Sequence, residues 1–152
     1  MTKWQTRFMR LAQEAATWSK DQDCAVGAVL VSPDNRKFSF GYNGFPKGIE
    51  DTQERMQDNV LKNSLTIHAE VNAILNYHDS VEGYTLYVTK APCHVCAGQL
   101  IQAGIVMVIC PPVKEDSKWT YSCQLAQELF SEAGVKVLTD RTTLIHTESG
   151  QA

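Results

Sequence analysis

The chain has 152 residues, 43% hydrophobic and 20% charged, with five cysteines and a formal net charge of −3. That composition suits one globular domain with a full core and excludes a disordered chain. No lysine and arginine run stands out, so the basic footprint of a protein that holds long nucleic acid is missing and a small-molecule substrate is favoured.

In chain order, Trp4, Phe8, Leu11, Ala15 and Trp18 recur at helical spacing and predict an amphipathic helix over residues 3–19. Lys3, Arg7 and Arg10 interrupt its apolar residues, which is unlike a signal peptide, and no window reaches the length of a membrane span. A cytoplasmic location is expected, without a membrane partner and with the cysteines reduced. Cys24 to Val31 is a valine-rich apolar run and reads as a strand buried on both faces. Gly27 inside it signals close approach, either of a ligand or of a helix against the sheet. Ser32 to Asn35 is a turn, and Lys37 to Tyr42 is a second strand that completes a hairpin.

Gly41 to Gly48 (GYNGFPKG) is a loop that needs special backbone angles. A long polar connection covers residues 49–66, with helical turns around Gln53–Lys62 and no Cys or His. Ile67 to Tyr77 is a predicted helix, with Val71, Ile74, Leu75 and His78 on one face. Tyr84 to Thr89 is a strand, and Pro92 opens a helix over residues 93–103. Ile105 to Cys110 is an apolar strand. A helix runs from about Asp116–Lys118 to Ala133, and Val135–Leu138 is a short last strand. The expected fold is α/β: one domain over residues 1–138, three layers, and a mixed five-stranded sheet in which only the first pair is a hairpin. A polar tail follows at residues 139–152. Strands joined by helices should run parallel through right-handed crossovers.

Two short pieces carry the chemistry: His68-Ala69-Glu70 and Pro92-Cys93-His94-Val95-Cys96. Cys93 and Cys96 share a helix face in its first turn, where unpaired N–H groups favour thiolates. His68 opens the other helix. Three such ligands, with a carboxylate left over, suit a catalytic zinc that keeps a fourth position for water. Zinc brings the pKa of a bound water to roughly 7, and Glu70 beside it can shuttle protons to a ring nitrogen and a leaving amine. Other readings of the cysteine pair are a redox couple and half of a closed structural zinc site. The first expects a thioredoxin-like context and does not need the His-x-Glu. The second needs a fourth ligand from His94, Cys110, Cys123, His78 or His146. Cys24, Cys110 and Cys123 read as small core or boundary residues. Trp119 and Tyr121 follow a strand whose end should face the site, and either pack or line the pocket.

These pieces, with Ser19-Lys20-Asp21, Val26-Gly27-Ala28-Val29, the Gly41–Gly48 loop, Lys62, His68–Ile74, Pro92–Ala97 and Ile101–Ile105, resemble the cytidine and deoxycytidylate deaminase superfamily, and within it the dCMP deaminase branch. The likeness spans nearly all of residues 19–137. It implies one zinc on His68, Cys93 and Cys96, with Glu70 as proton shuttle. It also implies a nucleoside contact from Asn43, an Ala69 backbone N–H on the pyrimidine carbonyl, and Gly27 and Ala28 near the base. The helix between the last two strands implies that these are parallel. Lys47, Arg55 and Lys62 are the phosphate candidates by charge and loop position. No second zinc is expected, because the loop before His68 lacks the Cys/His-rich insertion of some phage members. The Asp116–Ser122 segment departs from the best-known members and leaves the substrate open. The expected reaction is hydrolysis of dCMP to dUMP and ammonia. A deaminase of another small base, such as a modified pyrimidine or a guanine-type purine, is an alternative, and so is a zinc-stabilised binding module without catalysis. By resemblance, dCTP and dTTP are effectors and the chain forms a homo-oligomer.

Overall fold

In the computed structural model, residues 1–139 are described. The elements are α1 (Lys3–Ala16), β1 (Gly27–Val31), β2 (Phe38–Tyr42), α2 (Gln53–Gln57), α3 (Asn59–Leu65), α4 (Ala69–Leu75), β3 (Thr85–Val88), α5 (His94–Gln102), β4 (Met107–Cys110), α6 (Thr120–Glu132) and β5 (Lys136–Thr139). The sheet order is β2-β1-β3-β4-β5. β1 runs antiparallel to both β2 and β3, whereas β3, β4 and β5 are mutually parallel. The expected mixed three-layer sheet, with its last two strands parallel, is therefore present. β5 extends one residue into the predicted tail, where Thr139 pairs with Cys110. The rest of that tail, with His146, lies outside the described residues.

β1 is buried along its whole length, as its unbroken apolar run requires. Its alternate side chains feed two cores. Ala28 and Leu30 join Leu86, Val88 and Val108 beneath α4, α5 and α6. Val29 and Val31 join Tyr87 and Ile109 beneath Phe8, Met9 and Ala12 of α1.

The buried face of α1 differs from the predicted stripe. Phe8, Met9, Ala12 and Ala15 are buried, whereas Trp4, Leu11 and Trp18 are exposed. The cause is Gly27. A Cβ there would lie 2.0 Å from the Ala12 carbonyl oxygen and 2.4 Å from the Ala16 nitrogen, so the helix backbone rests on the strand. Only small residues fit that contact. The tryptophans ride its flank, where Trp18 meets Phe40 edge-on at 5.1 Å. Of the two readings of Gly27, the helix contact accounts for the glycine.

α4 repeats the pattern against β2. A Cβ on Gly41 would lie 2.3 Å from the Ala73 nitrogen. The buried residues of α4 are accordingly Ala69, Glu70 and Ala73, not the predicted Val71–Ile74–Leu75–His78 face. Asn72 and Asn76, one turn apart, donate to the carbonyls of Tyr42 and Phe40, and Ser39 donates to that of Ala73. These bonds rivet α4 to the edge strand β2, and the two asparagines use acceptors that an open sheet edge would expose. Between β2 and α4, the predicted helical turns are two helices broken at Asp58, whose carboxylate caps α3.

Gly27→Ala should lower unfolding stability by about 3 kcal/mol, since α1 must lift off β1. Urea denaturation measures this, and an unchanged midpoint would contradict the packing described.

Candidate active site

Two helix starts meet at one end of the sheet. His68 is the N-cap of α4 and Cys93 the N-cap of α5. Each arrives there for a local reason. Ile67 is held beside the end of β2 by a two-way backbone bridge with Gly44, at 2.8 and 3.1 Å. Cys93 follows Pro92, and its Sγ accepts the Cys96 N–H at 3.5 Å, so the sulfur serves as a helix cap. No side-chain bond caps α4, which leaves the imidazole of His68 free to face the sulfurs.

His68 Nδ1 lies 3.6 Å from Cys93 Sγ and 3.3 Å from Cys96 Sγ. Ligands of one tetrahedral zinc lie about 3.6 Å apart, so the donor set fits that ion. Among the described residues, these three form the group of Cys, His or carboxylate atoms near enough to share a metal. The other ligand candidates are engaged or distant. The His94 ring turns to Ser122, and Cys123 Sγ donates to the Ala91 carbonyl. Cys110 is buried and His78 is exposed. All five cysteines are free thiols.

Electrostatics favours a cation at this point. A hydrogen bond from the Cys96 thiol, aided by His68, holds the Cys93 thiol down to about 4. The same thiolate raises His68, and it is the main reason that the Cys96 thiol is raised. The protein groups alone therefore gather one negative sulfur and two held protons, which a divalent ion displaces. Glu70 stands behind them, only 4% exposed. Burial raises its carboxyl above the usual range, opposed by its own backbone N–H and by His68. It thus retains a proton more readily than an exposed glutamate, as a proton carrier requires.

The family model for the cytidine and deoxycytidylate deaminase zinc-binding region matches residues 2–111. The chain belongs to the cytidine and deoxycytidylate deaminase family. It is 42% identical over 139 residues to an uncharacterized deaminase from the luxG 3' region of Aliivibrio fischeri, covering 90% of this chain and 93% of that one. It is 39% identical over 140 residues to the Homo sapiens deoxycytidylate deaminase, covering 88% and 77%. The dCMP deaminase of cyanophage S-TIM5, solved with dCMP and dUMP, superposes with a TM-score of 0.72 at 25% identity, over 92% of this chain and 99% of that one. The enzyme is a zinc-dependent hydrolytic deaminase with one catalytic zinc centre.

The remaining predicted site residues divide. Asn43 is buried, and both ends of its amide serve the fold of the deaminase: Oδ1 accepts the Val26 N–H and Nδ2 donates to the Cys24 carbonyl. Ala69 and Ala28 are fully buried in the core beneath α4 and α5. Lys62 is corrected. Its Nζ is buried 3.2 Å from Asp21 and 3.5 Å from Asp23, so its charge is neutralised within the fold and does not await a phosphate. Lys47 is exposed and, with Asn43 and Lys20, lines a cavity of about 250 Å³. Arg55 donates to the Glu50 carbonyl. Trp119 reaches the site and meets the His68 ring edge-on, whereas Tyr121 is 76% exposed.

Three contributors were given no role from sequence. Thr89 accepts the Gly27 N–H through its hydroxyl, Asp21 receives Lys62, and Ser122 bonds His94. Asp21 stood in one of the pieces that carry the resemblance, and Ser122 could have been found by its spacing of three from Trp119 at a helix start.

Replacing Cys96 by serine should reduce bound zinc from one per chain to a small fraction, read by atomic emission after dialysis. Full zinc retention in Cys96→Ser would contradict the ligand set.

Proposed function

We propose that the enzyme converts dCMP and water to dUMP and ammonia. The observation that carries this is a three-ligand centre with a buried carboxyl beside it, in a chain about 40% identical to deoxycytidylate deaminases over 77% of their length. Zinc, bound by His68, Cys93 and Cys96, supplies the Lewis acidity that makes water nucleophilic near neutral pH.

The chain's own groups do the rest. Glu70 takes a proton from the attacking water and passes it to the ring nitrogen next to the amine-bearing carbon. It then takes the proton of the hydroxyl just added to that carbon and gives it to the departing amine, which leaves as ammonia while the oxygen becomes the ring carbonyl. Its burial keeps that proton from bulk water. The Ala69 N–H is the first of α4, without a side-chain cap, and donates to the pyrimidine carbonyl. Gly27 and Ala28 provide the backbone beside the base. Asn43 binds the sugar through the second N–H of its amide. Lys47 and Arg55 are the cations we assign to the phosphate, since both are carried by the connection that follows Asn43 and neither pairs with a carboxylate among the described residues. Exposed Trp18, Phe40 and Tyr42 on the flank of β2 support assembly into a homo-oligomer, read by sizing the purified protein.

The test is a panel of dCMP, CMP, deoxycytidine, cytosine and amine-bearing purine nucleotides, followed by ammonia release from zinc-loaded enzyme. dCMP should give the highest kcat/KM. Turnover of a purine or a free base in preference to dCMP would overturn the substrate assignment and leave the hydrolytic centre intact.

A further inference from the structure

The reaction as derived leaves the first turn of α6 without a role. Yet that turn touches both halves of the metal centre. The Trp119 and His68 rings lie 6.1 Å apart between centroids, with their planes at 82°. Ser122 Oγ accepts the backbone N–H of His94 at 3.3 Å and lies 2.8 Å from the Nδ1 of the same residue. One residue on, Cys123 Sγ donates to the carbonyl of Ala91, just before Pro92. Positions 119, 122 and 123 stand at spacings of three and four, so one face of the α6 start makes all three contacts.

The bond to His94 has a specific consequence. His94 is the first residue of α5, and its N–H has no acceptor within the helix. Cys93 Sγ already serves the Cys96 N–H in the same turn. Ser122 therefore meets a donor that would otherwise turn to water or compete for the ligand sulfur. It does so from a different helix, which fixes where the turn carrying both sulfurs can lie. Trp119 limits the rotation of the imidazole that must meet them. The turn that leads into α6 is itself pinned: Thr120 Oγ1 donates to the Lys114 carbonyl and accepts the Ser117 N–H.

We propose that Ser122 and Trp119 are positioning residues of the metal centre, which together clamp the Cys93–Cys96 turn and the His68 ring at the separation that zinc requires. Partners that stand behind metal ligands orient them and tune their affinity. The clamp rests on the zinc centre and not on the choice of dCMP.

The experiment compares Ser122→Ala, Ser122→Thr, Trp119→Ala and Trp119→Phe in the full chain, measuring zinc affinity by competition with a chelator and the visible absorption of the cobalt-substituted enzyme. Ser122→Ala and Trp119→Ala should weaken zinc binding about tenfold or more and alter the cobalt bands. Ser122→Thr and Trp119→Phe should restore both, since they keep the hydroxyl and the ring. With dCMP, the two alanine variants should lose kcat while KM stays within about twofold, the pattern of a disturbed reacting centre. Wild-type zinc affinity and cobalt bands in Ser122→Ala would overturn the clamp. So would a rise in KM alone, which would make the segment a substrate contact. If dCMP is not turned over at all, the chelator and cobalt readings still decide the clamp.

Discussion

The site depends on one hydrogen bond of unusual type, the Cys96 N–H donated to Cys93 Sγ. It makes a metal ligand double as a helix cap. The α5 start then holds two sulfurs on one face, with the positive end of the helix beneath them. That arrangement stabilises the thiolate before any ion arrives. The uncapped start of α4 faces it with an imidazole and, in its first turn, with a carboxylate. Two helix starts brought together by β2 and β3 thus supply every group the hydrolysis needs.

Holding them there takes a polar scaffold inside an apolar core. Among the described residues, Asp21, Asn43, Lys62 and Glu70 are buried polar or charged side chains. Three of them knit chain segments: Lys62 to Asp21, Asp21 to the Cys24 N–H, and Asn43 to both Cys24 and Val26. Breaking one partner of such a pair leaves an uncompensated charge or dipole, so the scaffold is costly to disturb and geometrically exact in its demands. Glu70 differs in kind. Its burial is only partly offset by its own backbone N–H and by His68, and its raised carboxyl is the form in which that desolvation is available to catalysis.

Much of this was legible in the chain. The strand and helix order follows from apolar runs and from turn residues, which act locally. The ligand set follows from two motifs whose spacing is short. Helix faces were less legible. In α1 and α4, bulky residues suggested the buried side, but Gly27 and Gly41 bring backbones so close that alanines must take it. A glycine's effect on a helix elsewhere in the chain has no periodic signature. Lys62 misled for a related reason: a lysine in a polar connection reads as a cation available to a phosphate until the fold brings Asp21 to it. Trp119 was legible from its place after a strand that ends at the site, but the partners of the Trp119–Ser122 face, His68 and His94, lie far off in sequence.

The measurement that tests the account most directly is zinc content and dCMP turnover on one preparation of Glu70→Gln, which keeps the shape of the site and removes its acid. The account predicts one zinc per chain, as in the wild type, with turnover reduced by about 10²–10⁴-fold. Turnover near the wild-type rate with zinc bound would contradict it, because the proton would then travel by a route that does not include Glu70.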